Sequence, residues 1–210
     1  MKRYFLLVTI CYLFISVLSV GAIKPPSKVI VIDPGHGGID PGTTYKNIYE
    51  KDITLKISKY IKEELEKKNY IVYLTREDDY DLSSPKAIYR KKSDFDNRIK
   101  YINNYADYYV SIHLNFLNDS RYKGIQVFSL DNEKENASIM QNYLNKKLDS
   151  KRINKQTPSS IYMYKKINKP GLLIECGFLS NNSERNLLIT EEYQRKIAKE
   201  IANGLSRIKI

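Results

Sequence analysis

Residues 28–38 read KVIVIDPGHGG, and the fold is decided here. Lys28-Val-Ile-Val-Ile-Asp33 is a short β-branched apolar run closed by Pro34-Gly35, the pattern of a strand buried on both faces. Outward from it, strands and helices alternate. Residues 50–68 predict a helix, with Ile53, Ile57, Ile61 and Leu65 at every fourth position among Lys and Glu. Residues 70–75 (YIVYLT) predict a second strand and residues 77–91 a loop with acids, two serines and Pro85. Residues 93–105 read as a helix carrying Ile99 and Ile102. Residues 107–115 (DYYVSIHLN) and 124–130 (GIQVFSL) read as strands. A helix over 133–149 puts Met140, Leu144 and Leu148 on one stripe. Residues 161–164 form a weak strand, 171–176 (GLLIEC) a strong one. The last helix, 190–208, spaces Tyr193, Ile197, Ile201 and Leu205 by four. Such repetition predicts an α/β fold: one domain, with a mostly parallel twisted sheet of about six strands and helices on both faces.

Composition agrees. The 210 residues are 42% hydrophobic and 28% charged, with 9 Gly and 7 Pro, which suits one domain and excludes disordered or collagen-like material. Two cysteines exclude a disulfide scaffold or a Cys-rich zinc module. The formal charge is +11; Lys2 and Arg3 supply two of these and residues 1–23 hold no acid, leaving +9 on the rest. That surplus favours nucleic acid, anionic lipid or an anionic wall. Lys2-Arg3 precedes YFLLVTICYLFISVLSVGAI (4–23), a charge-free apolar run of the export type, with small residues at Ser19–Ala22. It is also long enough to span a bilayer, so a cleaved signal peptide and a retained membrane anchor both stay open for residues 1–23. A buried core helix is the poorer reading, because the run comes first and ends at Lys24-Pro25-Pro26 in a linker at 24–27. Cys11 is a bystander. Residues 28–210 then form the working domain outside the cytoplasm, where wall polymer displaces nucleic acid. No wall-binding module is expected at either end, and no nucleic-acid motif is found.

In an open α/β sheet, ligands bind outside the carboxyl ends of the strands. The first strand delivers His36 in a Gly-rich turn, the third delivers His113 and Asn115, and the strong strand at 171–176 ends in Glu175. Glu50 opens the first helix. The chain's two histidines thus both fall on the active rim. Two imidazoles and one carboxylate are a catalytic zinc set with one position open, and Glu175 is then the spare carboxylate for general base work. The 36–50–113 spacing is not diagnostic, and no HExxH is present. A plain alternative stands beside it: a turn histidine, a core histidine, a helix-opening acid and half of a buried ion pair. Position alone does not choose.

VIDPGHGGIDPGT (31–43), YEKDITLKI (49–57), YLTREDD (73–79), RIKYINNYADYYVSIHLN (98–115) and GLLIECGFLSNNSE (171–184) resemble the zinc-dependent N-acetylmuramoyl-L-alanine amidases of the amidase-3 family, in the family's order. The resemblance implies zinc held by His36, Glu50 and His113, and Glu175 as the catalytic carboxylate. It implies cleavage of the amide between the muramic acid lactyl group and L-alanine of peptidoglycan. Arg76 then falls at the site's edge, either on substrate or in an ion pair with Asp78 or Asp79, the favoured reading. Asn115 meets substrate or caps the strand end. The chain departs from the family at Ile102-Asn103, and loops 116–123 and 150–160 leave the cleft's shape open. No long inserted helix that would cover the site is found. An exported amidase without wall-binding repeats is similar to the spore-cortex, germination-related branch, which helps make muramic lactam. An accessory protein for zinc loading is left open, as are two other functions: a wall-binding protein of weak activity, and a zinc peptidase of the stem peptide.

Remaining signals read as structure. Cys176 follows Glu175, so on a strand it faces the other way, into the core. The 18 Tyr fit half-buried strand positions as well as sugar platforms. Lysine pairs such as Lys91-Lys92 and Lys146-Lys147 are solvated faces that add attraction for anionic polymer.

Overall fold

The computed structural model describes residues 27–158 and 161–210. The expected export segment at 1–23, and the linker except its last residue, lie outside the described residues. Among the described residues no helix is long and apolar enough to cross a membrane.

In chain order the elements are β1 (Val29–Pro34), β2 (Thr44–Tyr45), β3 (Ile48–Tyr49), α1 (Glu50–Glu66), β4 (Ile71–Leu74), α2 (Arg90–Tyr105), β5 (Tyr108–Asn115), β6 (Gln126–Ser129), α3 (Lys134–Lys147), β7 (Lys155–Gln156), α4 (Tyr162–Lys166), β8 (Gly171–Phe178), α5 (Asn182–Leu188) and α6 (Glu191–Leu205). The main sheet has six strands in the order β4-β1-β5-β8-β6-β7. Every pairing in it is parallel except β6 with β8. The expected α/β fold is therefore present.

Alternation along the strands divides the core in two. Ile30, Ile32, Val110, Ile112, Leu172 and Ile174 face α1, α3 and α6, whose Ile57, Ile61, Leu144, Ile197 and Ile201 complete the larger cluster. Each such buried side chain contributes roughly 1.5–3 kcal/mol of transfer free energy. Val31, Tyr109 and Leu173 face the other way, onto Ile99 and Ile102 of α2 and Met163 and Tyr164 of α4. Cys176 packs with the larger cluster, as its parity with Glu175 requires. The second face matters most for function, because continuing Val31, Tyr109 and Leu173 by two residues at a time leads to Asp33, His113 and Glu175.

Three local expectations are corrected. Residues 161–164 are not a strand: Tyr162–Lys166 is a short helix whose Met163 and Tyr164 cover the second face. The sixth strand is Lys155–Gln156, inside the segment expected to be loop. The helix at Asn182–Leu188 was not expected; Asn181 caps it, accepting from the Glu184 N–H at 2.9 Å.

Candidate metal centre

β1 leaves the sheet through Gly35, whose N–H continues the ladder to the Ile112 carbonyl at 2.9 Å. The chain then reverses at His36, which adopts a left-handed φ of 63°. Gly37 and Asp40 exchange backbone hydrogen bonds at 3.0 Å and close the loop. Two glycines are dictated by contact. A Cβ on Gly35 would stand 2.4 Å from the His113 ring, and one on Gly42 2.6 Å from the His36 ring. The backbone has to approach both imidazoles this closely for them to meet.

They do meet. His36 Nε2 lies 3.2 Å and His113 Nδ1 3.0 Å from the same Glu50 oxygen, Oε1. One donor atom from each of the three residues lies within 4.8 Å of the others. The imidazole rings are 5.0 Å apart at 78°. Glu50 is fixed from behind, its Oε1 accepting from the Leu114 N–H at 2.9 Å and its Oε2 from the Thr43 N–H at 2.8 Å. On the far side of His36, Nδ1 meets Asp40 Oδ2 at 2.9 Å, and Lys91 pairs with that same carboxylate oxygen. A carboxylate behind a histidine sets its tautomer and ring direction in metal sites. Two imidazoles, one carboxylate and this support fit a divalent transition metal of the zinc type. The plain reading of the two histidines as an unrelated turn residue and a core residue is inconsistent with their sharing one oxygen atom.

Charge follows from this packing. Burial opposes ionisation of Glu50, yet hydrogen bonds from His113 and His36 hold its carboxyl well below the usual range. Burial also opposes charge on His36, but Asp40 and Glu50 outweigh it and raise the imidazole to about 9. Glu175 is the opposite case. Directly across the ladder from His113, it is pushed up to about 8 by burial and by the Glu50 charge. Its Oε2 is buried with no hydrogen-bond partner among the described residues. That excludes Glu175 as half of a buried ion pair. A cavity of about 120 Å³ joins Glu175, His36 and His113 to an apolar wall of Phe95, Ile161 and Met163. A buried carboxylate without a partner, lining a cavity, makes this a candidate functional site.

Arg76 is corrected. It is 0% exposed, and its guanidinium donates to the carbonyls of Pro34, Gly35, Lys51 and Asp78. It clamps the His36 loop instead of facing the cleft, and no ion pair with Asp78 or Asp79 forms. Asn115 ends β5 just past a register shift, and its carbonyl accepts from the Leu179 N–H at 3.0 Å.

The sequence reading passed over Asp40 and a buried network below the loop, and placed Lys91, which pairs with Asp40, on a solvated face. Arg98, 2% exposed, donates to Asp33 and Asp94 and to the carbonyls of Pro34 and His36. Asp33 also accepts from Thr75 and Ser111. One signal was available: Arg98 lies on the Ile99/Ile102 stripe, four residues after Asp94.

Fold and donor set define a class: single-domain α/β proteins with a His–Glu–His candidate metal centre on the carboxyl rim of the sheet. Residues 30–207 match the family model described as N-acetylmuramoyl-L-alanine amidase, and the chain belongs to that amidase-3 family. It is 38% identical over 187 residues to the germination-specific N-acetylmuramoyl-L-alanine amidase of Bacillus subtilis, covering 86% of this chain and 79% of that protein. Among solved structures it is similar to the CwlD amidase of Clostridioides difficile in complex with the GerS lipoprotein. That match has a TM-score of 0.81 and 39% identity, covering 86% of this chain and 98% of that one. The catalytic domain of the CwlV amidase from Bacillus (Paenibacillus) polymyxa matches with a TM-score of 0.74 and 28% identity, over 86% and 97% of the two chains.

Proposed function

We propose that this amidase is zinc-dependent and hydrolyses the amide between N-acetylmuramic acid and the L-alanine of the stem peptide. The carrying observation is the convergence of His36, Glu50 and His113 beside the unpartnered Glu175. Zinc, when bound by the three donors, polarises a carbonyl and acidifies water. The chain's residues do the rest. Glu175 takes a proton from the attacking water and passes it to the amine of L-alanine as that amine departs. Asp40 keeps His36 aimed at the centre, and Thr43 and Leu114 keep Glu50 in place. Phe95 and Met163 line the cavity beside Glu175 and limit water there. Asn115 is the nearest candidate for a substrate contact at the end of β5.

The setting follows from the likeness to relatives. A germination-specific counterpart supports a role in the spore cortex, in muramic-lactam formation. A lipoprotein-bound counterpart supports an accessory protein. The apolar run at residues 4–23 supports export, with residues 28–210 as the catalytic domain.

The test is release of new L-alanine amino termini from purified peptidoglycan by zinc-loaded protein, compared with Glu175→Gln. Release by the wild type, falling about 10²–10⁴-fold in the variant, is expected. Products lacking free N-terminal L-alanine would move the reading to a stem-peptide peptidase, and no products at all would end the enzymatic reading.

A further inference from the structure

A second feature sits on the same rim. β6 runs antiparallel to β8, and Gln126 at its start pairs with Glu175. The Gln126 side chain is held on both sides, donating to the Ile153 carbonyl at 2.8 Å and accepting from Arg152 Nη2 at 2.9 Å. Arg152 leans over the rings of Tyr122 and Phe178, at 5.5 and 5.2 Å, and its buried Nε has no hydrogen-bond partner among the described residues. From Arg152 a groove of about 610 Å³ opens, flanked by Lys123, Lys151 and Lys196.

Its charge is mostly positive. Lys123, Lys151, Arg152 and Lys196 form no ion pair among the described residues, whereas the neighbouring Arg121 is neutralised by Asp119 at 2.7 Å. The groove's acids are Asp149 and Glu184. Glu184 is turned inward, accepting from the N–H groups of Gly124 and Phe178 at 2.9 and 2.7 Å. It therefore ties the groove's floor to β8 and offers little to an incoming cation. Four unpaired cations against the single exposed acid Asp149, over a floor tied to the strand that carries Glu175, match an anionic chain that crosses the rim.

We propose that this groove is a second contact for polymeric substrate, taking the carboxylates of stem peptides next to the one being cut. This rests on the amidase reading above and adds where the polymer lies. Anchoring to neighbouring stems raises the effective concentration of the scissile amide, in a catalytic domain with no wall-binding module in its described residues. A substrate with a single stem cannot use the groove, so polymer and fragment respond differently to its loss.

The experiment uses the zinc-loaded full chain and peptidoglycan stripped of phosphate polymers. Wild type and the triple variant K123E/K151E/K196E are compared by cosedimentation at low and high salt, and by turnover of a soluble muramoyl peptide with one stem. Affinity for the polymer is expected to fall at least about tenfold in the variant. Wild-type affinity is expected to fall with added salt and after the polymer's carboxyl groups are converted to neutral amides, with soluble turnover the same in both proteins. Equal binding by the variant, or wild-type binding that survives amidation, overturns the proposal. So does binding seen only before phosphate polymers are removed, which assigns the groove to those polymers. Loss of soluble turnover in the variant also overturns it, by placing the lysines in the fold or centre. If neither protein cuts the soluble peptide while the binding difference persists, the amidase reading fails by itself.

Discussion

His36 combines an uncommon backbone conformation with a demanding position, since its two ring nitrogens meet different carboxylates. Asp40 takes Nδ1, leaving Nε2 for the centre. Asp40→Ala removes the group that fixes tautomer and ring direction while leaving all three donors present. A 10–100-fold loss of zinc affinity with unchanged far-UV circular dichroism is expected. Competition with a chromophoric chelator measures it, and an unchanged affinity would show that Asp40 is only a loop residue. The convergence of His36, Glu50 and His113 was legible in the sequence because histidine is scarce here and both copies sit at the ends of strand-forming runs. Asp40 and Lys91 were not, because charged residues are abundant in this chain and nothing local distinguishes a supporting charge from a solvated one; Arg98 was signalled only by its place on the Ile99/Ile102 stripe, four residues after Asp94. Arg76 shows the same blindness in reverse: its position after β4 suggested a rim residue, and only the packing shows its donors turned to four backbone carbonyls.

The elements meet beneath the site through Asp33 and Arg98, which link β1, β4, β5 and α2 in one buried network. Burial raises the cost of charge on Asp33, yet Arg98 and the Thr75 hydroxyl hold its carboxyl below the ordinary 3.8. The stabilisation linked to that ionisation is complete above the unfolded value and is lost as pH falls through it toward the folded one. Arg98→Ala leaves Asp33 charged, buried and unpaired, and should cost about 3–5 kcal/mol in urea unfolding at pH 7. Between pH 5 and 3 the variant's midpoint should fall less steeply than the wild type's, because part of the linkage has gone; parallel curves would contradict the coupling. Element reading succeeded where burial is patterned, as in α1, β5 and α6, and failed where it is not. β7 is a two-residue exposed edge strand of Lys and Gln, of the short polar kind that protects sheet edges, so it carries no apolar signature. Residues 161–164 were expected as a weak strand, but β propensity reports fit to a half-buried surface, and here Met163 and Tyr164 find that surface from a helical turn. The α5 helix does announce itself, through Asn181 three residues before Glu184, a capping pattern at the start of a helix.

Across the whole molecule, the three donors come from distant points of the chain: the loop after β1, the first residue of α1 and the end of β5. Nothing in an unfolded chain holds residues 36, 50 and 113 together, so a metal ion bound by all three binds the folded state preferentially and stabilises it by mass action. At a free ion concentration 100 times the dissociation constant the gain is about 2.7 kcal/mol. For a domain of this size, that corresponds to a rise of about 5–10 °C in thermal midpoint. Zinc-loaded protein should therefore unfold that much higher than the same protein stripped with a chelator, and readdition of zinc should restore the difference. His113→Ala should abolish most of the response, whereas Glu175→Gln should retain it, because Glu175 stands beside the His36, Glu50 and His113 group without being part of it. Scanning calorimetry of the three proteins with and without chelator separates the roles: a chelator-insensitive wild type removes the metal centre, and a Glu175→Gln variant that no longer responds moves Glu175 among the ligands.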